Sequence, residues 1–209
     1  VDAGSLERVD SVLLAAIADS AFPAAQLVAV RNNGIVIDRA WGRMTYDINA
    51  PAPTDESLFD IASVTKVIAT TAAVMKLFDE GKLGLDDRAG RFIPAFDSGM
   101  KSAITVEQLL RHRSGLPPFR NYFLTCSSPA QALDSVLLTP LVAKPGDTTI
   151  YSDLGFIMLG KIVEAVTGAR LDRYVDSVFY APLGMTRTMF LPPAELRDSA
   201  APTEYDSLY

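Results

Sequence analysis

Ser63 and Lys66 stand three residues apart at the head of "IASVTKVIATTAAVMKLFDEGKL", which runs from Ile61 to Leu83. On a helix beginning at Ser63 the two side chains share a face and reach hydrogen-bonding distance. A helix N-terminus carries partial positive charge and unbonded N–H groups, which favours a serine alkoxide and lowers the pKa of a nearby ammonium. A lysine partly withdrawn from water is then neutral and takes the serine proton, so the pair reads as nucleophile and base for attack on a carbonyl. The Ser63 amide adds a candidate donor for a developing oxyanion. The competing reading is a capped helix start, because serine caps helices and lysine is common on their surfaces. With fifteen serines and six lysines, chance alone yields Ser-x-x-Lys roughly 0.4 times. A second instance, Ser98-Gly-Met-Lys101, holds a helix-weakening Gly99 with no apolar stripe after it, and reads as accidental.

Tyr151-Ser152-Asp153 is the second feature, in the loop before a long apolar segment. A tyrosine beside Ser63 and Lys66 could relay a proton, the more so if the lysine holds the phenol pKa down. Asp153 could accept from Lys66 or position a substrate amide. The plainer alternative is a helix start in which Tyr151 packs its ring and Ser152 or Asp153 caps. The lone histidine, His112, excludes a zinc centre built on two histidines. No Gly-x-Ser-x-Gly elbow accompanies it, so any nucleophilic chemistry needs another base.

The elements that must position these groups follow from periodicity and breakers. Leu6 to Ala18 has helical apolar spacing. Gln26 to Arg31 and Ile35 to Ala40 are strand-like and flank Asn33-Gly34, a hairpin dipeptide. From Ser63 to about Asp79 the expected buried stripe is Val64, Val67, Ile68, Thr71, Val74, Met75 and Phe78, with Gly81 and Gly84 ending the helix. Thr105 and Gln108 spell a capping box, and Gly115 with Pro117 and Pro118 supplies a left-handed exit and a stop. Pro129 opens a short helix after Ser128. Another runs from Ser152 or Asp153 to Gly168, and one more ends at Pro182. The order is helix, hairpin, then a run of helices, which is an α+β outline with few of its strands in this chain.

Bulk properties narrow the classes. At 209 residues the chain is long enough to bury a core. A net charge of −6 without a basic face argues against nucleic acid as partner. No apolar run reaches membrane-spanning length. Cys126 is alone and so has no internal disulfide partner. The chain begins at Val1 with no visible leader, which suggests a processed or trimmed form.

Four segments, in order, resemble the serine β-lactamase and penicillin-binding-protein superfamily, in its class C-like branch. They are "FDIASVTKVIAT", "LLRHRSGLP", "KPGDTTIYSDLGFIMLGKIVEAVTG" and "YVDSVFYAPLGMTRTMF". The resemblance spans about Gln26 to Phe190. It implies a β-lactamase/transpeptidase-like fold and a serine hydrolase that forms an acyl-enzyme on esters, D-amino-acid peptides or β-lactam-like amides. Ser63 would be the nucleophile, Lys66 its base partner, Tyr151 the second proton carrier and Asp153 a substrate-binding group. Asp153 stands where the family usually has asparagine, which favours an esterase or peptidase over a dedicated β-lactamase. His112 matches the family's loop histidine, taken as structural and bonded to the last helix carbonyls. The resemblance implies no metal and no organic cofactor, a small-molecule or peptide substrate, and a periplasmic or extracellular location.

The family's final strand, with Lys or His, a small residue and then Gly, does not follow Phe190. The expectation is one domain over 1–209, truncated: helix and hairpin over 1–50, a mostly helical region over 51–190, an irregular tail over 191–209. A missing C-terminal piece or a fused second domain would supply the rest, and these residues alone would be poor catalysts. Two other readings compete. One is a non-catalytic binding or accessory module of a larger protein. The other is a helical interaction domain with chance motifs, in which Ser63, Lys66 and Tyr151 lie far apart.

Overall fold

The computed structural model describes residues 3–203. The chain divides into two compact units, Val1–Ile61 with Leu191–Tyr209, and Ala62–Phe190.

In the first unit, helix α1 (Ala3–Ala18) precedes strands β1 (Ala24–Arg31) and β2 (Gly34–Gly42), which pair antiparallel as a two-stranded sheet. The hairpin turns on Asn32 and Asn33, one residue earlier than the sequence suggests, with φ of 50° and 61°. A tight hairpin turn needs two left-handed residues, and asparagine tolerates that conformation. Gly34 instead opens β2, paired with Arg31. Asp10 of α1 accepts from Arg39 at 2.8 Å and from the Trp41 indole at 3.0 Å, which ties the helix to β2. The segment after Leu191 forms a short 3₁₀ helix, Ala194–Ser199, and then bridges Leu58 through Ala200. The last six residues of the expected irregular tail, 204–209, lie outside the described residues.

The second unit is helical. A 3₁₀ turn (Ala62–Val64) leads into a π-helical stretch (Lys66–Thr71) and only then into α2 (Ala72–Asp79). After α2 come α3 (Val106–Leu110), α4 (Tyr122–Thr125), α5 (Pro129–Leu138), α6 (Asp153–Thr167) and α7 (Leu171–Val175). A second π-helical stretch, Asp176–Tyr180, extends α7. The core gathers Leu77, Phe96, Leu109, Leu116, Met158, Leu159 and Ile162, all fully buried. Each such side chain contributes about 1.5–3 kcal/mol relative to exposure.

The expected stripe from Ser63 to Asp79 is the buried one only in part: Val74 is buried, and Ile68 and Thr71 are half-buried. Val64, Val67, Met75 and Phe78 are exposed, whereas Ala69, Thr70, Ala73, Val74 and Leu77 are buried. The π-helical stretch winds more residues into its turn than an α-helix does, so α periodicity counted from Ser63 drifts off the buried face.

Helix ends follow the sequence closely. Thr105 and Gln108 exchange both bonds of the capping box, Ser128 accepts from Gln131 N–H, and Gly168 leaves α6 at φ 71°. The exit from α3 differs: His112 itself is left-handed, at φ 55°. Gly115 is also left-handed, for a packing reason. A β-carbon there would stand 2.1 Å from the Ala143 carbonyl oxygen.

Candidate active site

Four side chains from two stretches meet in the second unit. Ala62 precedes the group at φ 43°, a conformation that costs a non-glycine residue roughly 1–2 kcal/mol. Such strain gathers where a fold must hold one geometry. Ser63 follows on the 3₁₀ turn, exposed to solvent. Lys66 opens the π-helical stretch and turns its amine back, donating to Ser63 Oγ at 2.8 Å. The same nitrogen lies 2.7 Å from Asp153 Oδ1 and 5.0 Å from the centroid of the Tyr151 ring.

Tyr151 and Asp153 are held by the start of α6. Ser152 is the N-cap, wholly buried, accepting from Gly155 N–H at 3.2 Å and donating to the Pro117 carbonyl at 2.7 Å. The Asp153 N–H donates to the Pro118 carbonyl at 2.8 Å. The loop after α3 therefore fixes the backbone on which both functional groups ride.

The electrostatics depart from expectation at Lys66. Burial pushes its pKa down, but hydrogen bonds to Asp153 and then Tyr151, with the charge of Asp153, outweigh that and leave it raised. The shift favours the ammonium form over the neutral amine. Tyr151 moves the other way: hydrogen bonds from Lys66 and then Ser63 lower its phenol pKa. An ammonium has three donors and no acceptor. Lys66 therefore occupies a lone pair of Ser63 and leaves the serine O–H to point elsewhere.

The His112 backbone N–H donates to the Leu109 carbonyl near the end of α3 at 3.1 Å, but its imidazole turns elsewhere. Its Nδ1 accepts from the Ser152 N–H at 3.0 Å, and its ring lies 4.4 Å from the Tyr151 ring and 5.0 Å from Phe156. Sequence reasoning missed this contact. The available signal was a lone imidazole just past a helix end, where a left-handed residue was needed. Lys101 of the second Ser-x-x-Lys donates to the Leu137 carbonyl instead.

Beside Lys66 and Asp153 lies a 400 Å³ cleft, walled by Ala62, Phe156, Ile157, Gly160, Leu171 and Phe190. Among the described residues no group of three or more His, Cys, Asp or Glu could hold a metal ion. Among them, too, no helix is long and apolar enough to cross a membrane.

The family model described as Beta-lactamase matches residues 9–207. This chain belongs to the β-lactamase family. This β-lactamase-family chain is 38% identical over 193 residues to a putative D-alanyl-D-alanine carboxypeptidase of Escherichia coli K12, covering 83% of this chain and 44% of that protein. Among solved structures it resembles an octameric penicillin-binding protein homologue from Pyrococcus abyssi, with TM-score 0.81 and 28% identity over 96% of this chain and 47% of that one. It also resembles EstCE1, a hydrolase with promiscuous acyltransferase activity, with TM-score 0.81 and 25% identity over 94% and 55% of the two chains. The fold is the β-lactamase/transpeptidase-like one, helical with a small antiparallel sheet. The chain spans about half the length of the curated relatives it matches.

Proposed function

We propose that this chain carries the nucleophile of a serine hydrolase that works by acyl transfer, with Tyr151 rather than Lys66 as the proton acceptor. The observation that carries the reading is the position of the Lys66 amine, 2.8 Å from Ser63 Oγ and 2.7 Å from Asp153 Oδ1. Ser63 Oγ attacks the substrate carbonyl carbon while its proton passes to the Tyr151 phenolate oxygen, and Lys66 stays charged throughout. The tetrahedral intermediate collapses as Tyr151 returns that proton to the leaving oxygen or nitrogen, giving an ester on Ser63. Water then gives a proton to Tyr151 as it attacks that ester, and the proton passes back to Ser63 Oγ as it departs.

Asp153 supports a substrate preference. A carboxylate next to the nucleophile repels an anionic group and accepts from an amide N–H or an ammonium. Esters and peptides with a donor near the scissile carbonyl suit it better than substrates with a carboxylate there. The carboxypeptidase relative and the acyltransferase activity of EstCE1 both fit acyl transfer from amides or esters. The family's habit supports a periplasmic or extracellular location. The 209 residues alone are expected to be poor catalysts, since loss of one oxyanion donor costs about 10²–10³ in rate.

The test is covalent labelling of the intact protein with a fluorophosphonate and with penicillin, read by peptide mass spectrometry. The expected adduct is on Ser63 and disappears in Ser63→Ala. Absence of any adduct on the intact protein favours the alternative, a non-catalytic binding module. p-Nitrophenyl acetate turnover by residues 1–209 alone, compared with the intact protein, checks the fragment.

A further inference from the structure

We infer that His112 is a positioning residue for Tyr151, gripping the chain on both sides of it and setting where the phenol oxygen stands. The backbone carbonyl of His112 accepts from the Ile150 N–H at 2.8 Å, and its side-chain Nδ1 accepts from the Ser152 N–H at 3.0 Å. The residue between these two anchors is Tyr151, and the imidazole lies against its ring at 4.4 Å, tilted by 34°. On its other neighbour the imidazole meets Phe156 of α6 at 5.0 Å.

Each part of this grip has a local cause. His112 sits just past α3 at φ 55°, and its side chain leaves that left-handed backbone toward Ser152. Because Nδ1 accepts a hydrogen bond, the ring is neutral and carries its proton on Nε2. Burial and then the Lys66 charge hold its pKa down, although Asp153 opposes this. A neutral ring can rest beside the Lys66 ammonium without repulsion. Tyr151 is itself half exposed, with 51% of its surface in contact with solvent, so its own packing does little to fix it. A phenol that must reach both Ser63 and Lys66 needs an external support, and His112 supplies one.

The test compares His112→Asn with His112→Gly in the intact protein. Both residues accept a left-handed backbone. Asparagine Oδ1 is bonded to Cγ as histidine Nδ1 is, so it can still accept from the Ser152 N–H, whereas glycine cannot. The rate readout rests on the hydrolase reading above. We expect kcat for p-nitrophenyl acetate to fall roughly 10–100-fold in His112→Gly, with KM within about threefold and His112→Asn close to wild type.

Two further measurements need no turnover. Ultraviolet titration against Tyr151→Phe gives the phenol pKa, which rises in His112→Gly and returns in His112→Asn. Nitrogen NMR of the wild-type imidazole, assigned by its loss in His112→Asn, shows the proton on Nε2. An Nδ1–H tautomer overturns the proposal even if the glycine variant fails to fold. So does a folded His112→Gly protein with an unchanged phenol pKa, or equal losses in both variants. A phenol pKa that responds as stated in a protein that never acylates Ser63 keeps the proposal and sinks the hydrolase reading.

Discussion

The carboxylate of Asp153 stands 2.7 Å from the Lys66 amine, and against the effect of burial it raises the lysine pKa together with Tyr151. On the function proposed above, the lysine of Ser-x-x-Lys is a fixed cation that stabilises anions on its neighbours. The first two predictions follow from that role.

Lys66→Met keeps the aliphatic stem and removes the charge. The Tyr151 phenol loses its largest stabiliser, so its pKa rises and less phenolate exists at neutral pH. Fluorophosphonate labelling of Ser63 should slow by about 10²–10⁴. The limb on which the labelling rate climbs with pH should move to higher pH, and a rate profile from pH 5 to 10 measures both.

Asp153→Asn shifts the same limb the other way. A carboxylate near a phenol disfavours the phenolate, and Asp153 acts on Tyr151 in that sense. Its removal lowers the phenol pKa further, so the limb moves to lower pH. The substitution should also improve kcat/KM for substrates with a carboxylate beside the scissile bond, relative to those with an amine there. Paired substrates differing only in that group give the ratio.

Gly115→Ala should damage the site from a distance. The added methyl meets the Ala143 carbonyl at 2.1 Å, on a backbone with φ 79°. Relief requires the loop from His112 to Pro118 to move, and that loop anchors Ser152 and Asp153. We expect about 2 kcal/mol or more of lost stability in a urea titration, together with slower Ser63 labelling.

Thr105→Ala removes one half of the capping box at the start of α3, where Thr105 Oγ1 accepts from Gln108 N–H. The cost should be about 1 kcal/mol in thermal or urea unfolding, with labelling kinetics preserved at temperatures where the protein stays folded.

Helix ends were legible because their signals are local. Thr105 with Gln108, Ser128 with Pro129, and Gly168 each act within a few residues. The buried face after Ser63 was legible only in part, at Val74, because the π-helical stretch from Lys66 to Thr71 breaks the period on which such a reading depends. Ala69 and Ala73 occupy the core there while the larger Met75 and Phe78 face outward. At the candidate site, Ser63, Lys66, Tyr151 and Asp153 were named from motif and resemblance, and the structure brings them together. The direction of the Lys66 shift was not legible, because it rests on distances and burial that only the folded chain sets. The grip of His112 on Ser152 was invisible for the same reason.

The widened turn also makes this segment a register device. If the same residues, Lys66 to Thr71, wound as an ordinary helix, each would turn by about 100°, more than in the wider π turn. Everything from Ala72 onward would then rotate relative to Ser63, swinging a different set of side chains inward. Ser63 and the core helix behind it are therefore geared together, and the winding of this short stretch is as much a part of the sequence's message as the identity of any residue in it.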